Sequence, residues 1–162
     1  MRPVTLFDSV VQEMRAHARE TYPDECCGFL VAGPDPTEPD SPRVVLVARR
    51  AANDVDGDPR RRFVIRAEDL RDAERAVEAT GHFVVGFYHS HPDHPARPSA
   101  FDEAHAWPWY TYVVLAVTSS EVPAIGAFEL DAESAQFRDA PLAIVPSGGP
   151  TVSKSLRAPE PR

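Results

Sequence analysis

Three of the chain's six histidines, His89, His91 and His94, fall within one short stretch, and they follow the apolar run FVVGFYH that begins at Phe83. In an extended chain residues i and i+2 point to the same face, so His89 and His91 can present two imidazoles side by side to one metal ion. Pro92 then ends the strand. Further on, Ser99-Ala100-Phe101-Asp102 reads as a helix start in which Ser99 and Asp102 act as a capping pair. A helix's first turn also brings i and i+3 onto one side, so Asp102 can reach a metal while Ser99 faces the same space. Two histidines and one carboxylate make an open three-ligand zinc site of the catalytic kind; a closed structural site would call for cysteines. Such a zinc lowers the pKa of its water from about 16 to about 7, but hydrolysing an amide also requires a group that moves the water's proton to the leaving amine. Two carboxylates qualify by position, Glu25 just before the Cys26 strand and Glu103 beside Asp102, and spacing does not choose between them.

The elements that must position these residues are legible in outline. Phe7, Val10, Val11, Met14 and Ala18 share one helix face, with Asp8 or Thr5 available as cap. Cys26 to Ala32 reads as a buried strand closed by Gly33-Pro34, and the proline-rich Pro34 to Pro42 as a surface loop. Arg43 to Ala51 and Phe63 to Ile65 read as strands joined by a turn-rich connection. Ala67 to Thr80 reads as a helix ended by Gly81. Phe83 to His89 is the most apolar strand, and it enters a loop spanning Ser90 to Pro98. Ser99 to Trp107 reads as a short helix, Thr111 to Val117 and Ala124 to Leu130 as strands, and Gln136-Phe137 as a weaker one. Residues 1–145 form one α/β domain of two or three layers, strand order open; residues 146–162, with a net charge of +2, read as a disordered basic tail.

The chain has 162 residues, a length that fits one domain. Its net charge of −8 repels phosphate backbones and argues against nucleic acid as a partner. No apolar run is long enough to span a bilayer and the N-terminus does not read as a secretory signal, so the expected location is the cytoplasm. Cys26 and Cys27 are adjacent, too close for an ordinary disulfide, and at the head of an apolar strand they read as buried hydrophobes, not as nucleophiles.

His89-Ser90-His91-Pro92 followed by Ser99-x-x-Asp102 resembles the JAMM signature of the MPN+ zinc metallopeptidases. Tyr22-Pro23-Asp24-Glu25-Cys26-Cys27-Gly28 resembles the segment that carries that family's catalytic glutamate. The resemblance runs from about Leu6 to Phe128. It implies a central mixed, strongly curved β-sheet flanked by helices, with cytidine-deaminase-like layering. It implies His89, His91 and Asp102 as zinc ligands, Glu25 as general acid/base, and Ser99 as hydrogen-bond donor to the tetrahedral oxyanion. YPDECCGFL, GFYHSHPDHPARPS and AWPWYTYVVLAV look most like the short prokaryotic branch, which acts on ubiquitin-like sulfur carriers of the ThiS and MoaD type, releasing cysteine or a short peptide after Gly-Gly or splitting isopeptide bonds to lysine. A non-catalytic MPN-type scaffold would lack one or more of these residues. A homodimer is left open.

Among the remaining residues, His94 and His105 read as solvated, Trp107 and Trp109 as core or groove wall, and the Arg60-Arg61-Arg62 run and Arg97 as solvated cations able to hold an acidic carrier or a terminal carboxylate.

Overall fold

The structure is a computed structural model that describes residues 1–33 and 41–147. Most of the proline-rich loop and nearly all of the basic tail read from the sequence therefore lie outside the described residues. Among those described, one mixed, strongly curled eight-stranded sheet runs in the order β7-β6-β5-β4-β2-β3-β1-β8. Its strands are β1 (Val4–Phe7), β2 (Cys27–Ala32), β3 (Arg43–Ala51), β4 (Phe83–Pro92), β5 (Thr111–Val117), β6 (Ala124–Leu130), β7 (Phe137–Asp139) and β8 (Leu142–Val145). Three helices interrupt them, α1 (Asp8–Thr21), α2 (Ala67–Glu78) and α3 (Ala100–His105).

The sheet buries both faces, and the two longer helices divide between them. On one side Val10, Val11, Met14 and Ala18 of α1 pack with Leu6, Leu30, Val45, Val85, Tyr88, Val113 and Leu115. On the other, Leu70, Ala73 and Val77 of α2 pack with Phe29, Val31, Phe87 and Val114. This is why β2, β4 and β5 read as nearly unbroken apolar runs without alternation: strands covered on both faces have no solvent side.

Several expectations change. Val4–Phe7 is a strand, not a lead-in to a helix: Val4 and Leu6 are fully buried, and β1 lies parallel to both β3 and β8. Phe7, counted from the sequence as part of the helical stripe, stands at the N-cap position of α1 and supplies no side-chain cap. Neither Thr5 nor Asp8 caps that helix. Asp8 is already helical, and the exposed amide of Ser9 donates instead to Ser147 Oγ (3.0 Å), which comes from the far end of the chain. Phe63 to Ile65 is not a strand: its central residue has one backbone partner, the Asp54 amide, which donates to the Val64 carbonyl (2.8 Å), while Asn53 Oδ1 accepts from the Val64 amide (3.0 Å) and Asn53 Nδ2 donates to the preceding Arg62 carbonyl (3.0 Å). Gly81 does turn the chain out of α2, in the left-handed region at φ 73°.

The change that matters most for chemistry is in β4. It continues through His89 to Pro92, since β5 runs beside it in parallel and pairs His89 with Val114, His91 with Ala116 and Pro92 with Val117. Both imidazoles thus stand on a central strand, not on a loop. Ser90, between them, faces the other way and is fully buried; its hydroxyl accepts from the Cys26 amide (2.8 Å), which fixes the start of β2 against the histidine pair.

Candidate metal centre

The geometry brings His89, His91 and Asp102 together. His89 Nε2 and His91 Nε2 are 3.1 Å apart, and each lies close to Asp102 Oδ2, at 3.3 and 3.2 Å. All three residues are buried. The two histidines come from the i, i+2 face of β4. Asp102 comes from the first turn of α3, where a full capping box holds it: Ser99 Oγ accepts from the Asp102 amide (3.2 Å), and Asp102 Oδ2 accepts from the Ser99 amide (2.6 Å) and hydroxyl (2.8 Å). The capping expectation for Ser99 and Asp102 is therefore met, and the same box aims the carboxylate at the imidazoles.

The donor set fits a cation. His91 Nδ1 donates to the Pro95 carbonyl (3.1 Å), a hydrogen bond that leaves the Nε2 lone pair facing Asp102 and His89. A lone pair 3.2 Å from a carboxylate oxygen is repulsive unless positive charge lies between them. Tetrahedral zinc with bonds of 2.0–2.1 Å separates its ligand atoms by about 3.3 Å, close to the spacing of this triangle. The electrostatics agree. Burial drives the His89 imidazole toward its neutral form. Burial also works to raise Asp102, but the hydrogen bonds and charge of His89 and then His91 outweigh it and hold the carboxyl far below the usual carboxylate range. For His91, burial is outweighed by Asp102 and Glu25, which pull its pKa up.

Glu25 faces this triangle. It lies in the turn before β2, is 4% exposed, and puts Oε1 4.0 Å from His91 Nε2 while Oε2 has no partner among the described residues. Its backbone is pinned on both sides: the amide donates to the Pro59 carbonyl (2.8 Å), and the carbonyl accepts from Asn53 Nδ2 (3.4 Å). Burial pushes its pKa up to about 8, against the opposing pull of His91. Glu103, its rival in the sequence, is elsewhere engaged, accepting from the Phe137 amide (3.0 Å).

Other candidates fall away from the centre. His94 is exposed and His105 stacks on Phe101, its Nδ1 donating to the Phe101 carbonyl (2.8 Å). Cys26 and Cys27 are buried free thiols, and burial pushes Cys26 up to about 11 and Cys27 higher still, far from a working thiolate. Trp107 and Trp109, expected in core or groove wall, are 53% and 42% exposed; Trp109 lies under the Arg43 guanidinium at 4.5 Å. Three contributors had no signal in the sequence: Asn53, Phe63, whose ring stacks on His89 at 4.5 Å, and the Pro95 carbonyl.

Comparison with known proteins agrees with this arrangement. Residues 7–131 match the family described as prokaryotic homologs of the JAB domain. A desampylase of Haloferax volcanii is 35% identical over 108 residues, covering 66% of this chain and 73% of that protein. Solution structures of proteins from Desulfitobacterium hafniense and Salinibacter ruber superpose with TM-scores of 0.74 and 0.65, at 28% and 33% identity; they cover 89% and 93% of this chain and 94% and 95% of their own. A JAB1/MPN domain protein of Archaeoglobus fulgidus shares the fold, with a TM-score of 0.52 at 15% identity, covering 88% of this chain and 98% of its own. Among the described residues no helix is long and apolar enough to cross a membrane. With its His-His-Asp metal site and this match over most of its length, the chain belongs to the prokaryotic JAB-domain family and is a hydrolase of the JAMM type.

Proposed function

We propose that this hydrolase is a zinc-dependent peptidase that cuts the bond after the C-terminal Gly-Gly of a ubiquitin-like sulfur carrier of the ThiS/MoaD type, releasing cysteine or a short peptide. The observation that carries the reading is the buried Glu25 carboxyl facing the His89, His91 and Asp102 triangle at 4.0 Å. His89, His91 and Asp102 would hold the zinc. When bound, zinc supplies Lewis acidity, polarising a carbonyl and acidifying water. Glu25 takes the proton of the attacking water and delivers it to the leaving amine; burial raises this carboxyl above the usual range, and a cation held in the triangle it faces would oppose that rise. Ser99 donates to the oxyanion of the tetrahedral intermediate, which requires its hydroxyl to turn away from Asp102 Oδ2. His91 keeps its ring fixed through the Pro95 carbonyl, and Phe63 covers the face of His89 and limits water there.

A second reading, removal of a ubiquitin-like modifier from a lysine side chain, is favoured by the relative named desampylase, a word that denotes removal of an attached group. A non-catalytic scaffold is disfavoured because every position of the motif is present. The deciding experiment incubates zinc-loaded protein with carriers extended beyond Gly-Gly by a peptide bond or by a lysine isopeptide, and weighs the products. A mass loss equal to everything beyond the second glycine supports the proposal, and the substrate that loses it separates the two readings. No loss from any of them, with zinc bound, rejects both.

A further inference from the structure

Two arginines of the segment beside the metal centre, Arg60 and Arg62, have no carboxylate to meet them among the described residues, and the contacts of Arg62 lead to the centre. Their neighbours are paired: Arg97 with Asp139 (3.4 Å), Arg61 with Asp58 (4.0 Å) and Arg66 with Glu68 and Asp69 (each 3.0 Å). Arg62 makes no ion pair among the described residues. Its guanidinium instead lies on the ring of Phe101, with its central carbon 4.8 Å from the ring centre. The two neighbours of this contact lead directly to the metal centre. Phe101 immediately precedes Asp102, and Phe63, the next residue after Arg62, stacks on His89.

The backbone that carries this contact is tied down. Asn53 holds the Arg62 carbonyl (3.0 Å) and, through the same amide group, the carbonyl of Glu25 (3.4 Å), while Phe101 is backed by His105 at 4.1 Å. With no side-chain ion pair among the described residues, the guanidinium over the ring has N–H donors to offer, and such donors match a carboxylate two to two. Holding the side chain beforehand also removes part of the ordering cost that an arginine incurs on binding. In a chain of net charge −8, an uncompensated cation here attracts the one kind of group that the rest of the surface repels.

We infer that Arg62 is a specificity residue of this site, its guanidinium edge taking a carboxylate of the substrate laid across the metal centre. The inference rests on the peptidase reading above and deepens it. The carboxylate has two sources, the free α-carboxylate of the residue released beyond Gly-Gly or an acidic side chain in the carrier tail ahead of it.

The test uses the full-length, zinc-loaded protein and four carrier-tail peptides ending Gly-Gly-Cys, with a free or amidated C-terminus and with Glu or Gln ahead of the glycines. KM and kcat are read by mass spectrometry for wild type, Arg62→Gln and Arg62→Lys, and calorimetry gives the affinity of the same peptides for Glu25→Gln protein with and without Arg62→Gln. In wild type, neutralising the recognised carboxylate raises KM roughly 10- to 100-fold with little change in kcat. Arg62→Gln produces the same loss, the two losses do not add, and Arg62→Lys keeps part of the preference. Whichever neutralisation matters identifies the source. If Arg62→Gln leaves affinity and KM within about twofold for all four peptides, or weakens them all equally, the inference is wrong. Failure of the underlying reading looks different: no peptide is cleaved by any Arg62 form, while calorimetry still reports whether Arg62 selects carboxylates.

Discussion

Replacing Glu25 by glutamine should make the protein inactive and, at the same time, more stable. The carboxyl is buried with one oxygen unpartnered, and its pKa rises from 4.5 to about 8. A raised carboxyl pKa means that the folded state keeps a proton which the unfolded chain gives up, so stability is fully present below pH 4.5 and is lost as pH climbs toward 8. At pH 7 the penalty is (7 − 4.5) × 1.36, about 3 kcal/mol, in metal-free protein. A glutamine side chain has nearly the same shape and no charge to desolvate, so chelator-treated Glu25→Gln protein should be more stable at pH 7 by that amount, roughly 6–12 °C in Tm for a chain of this size. At pH 4.5 the two proteins should melt together. Urea unfolding of both forms between pH 4.5 and 8 measures the divergence. The same variant, reloaded with zinc, should bind metal as wild type does and lose about 100- to 10,000-fold in turnover. Parallel stability curves across this range would refute the electrostatic argument. Undiminished turnover would refute the assignment of Glu25 as proton carrier.

Three further outcomes are expected. Ser99→Ala should lose about 100- to 1000-fold in kcat and keep its metal, together with about 1 kcal/mol of stability from the lost cap, whereas a fall in zinc affinity with kcat intact at saturating zinc would confine the hydroxyl to orienting Asp102. His17, buried against the Tyr88 hydroxyl (2.7 Å), is held down to about 4, mainly by burial; the unfolded chain protonates first as pH falls, so about 3 kcal/mol should be lost between pH 6.5 and 4, and unfolding of His17→Gln in the Glu25→Gln background should show that slope removed. Gly86→Ala should cost about 3 kcal/mol or more, visible as loss of soluble folded protein, because a Cβ there would run into the Thr111 carbonyl oxygen across the β4–β5 pair.

The metal triangle was legible because each part of it is local. Two imidazoles on one strand face and a carboxylate one helical turn from its cap follow from backbone periodicity alone; the helix starts at its expected cap, while the strand runs three residues beyond its expected end at His89. Glu25 was not legible from spacing, since its distance to His91 depends on β2 pairing with β4, which sets Cys27 opposite His89 across the intervening β3 and α2; only the family pattern separated it from Glu103. The same limit explains β1 and β8. Each is a four-residue segment whose strand identity comes from its neighbours, and Phe7 fits a helical stripe as well as it fits the end of a strand. Phe63 to Ile65 erred the other way: its residues favour a strand, but at Val64 an asparagine side chain took the amide that a ladder would have paired. Side-chain bridges of that kind leave no periodic trace.

The pairing of β1 with β8, and the Ser147 hydroxyl held at the start of α1, also set an order of events. While the chain is being synthesised, its first strand can find one neighbour early, in β3, but must wait for the other until β8, far along the chain, has been made. Until then one margin of the sheet is bare and the opening turn of the first helix has loose amides. Fusion partners or shortened versions that disturb residues 142–147 should therefore reveal themselves first at the opposite terminus, as rapid amide exchange in Val4 to Val11, before any effect reaches the hydrolytic centre.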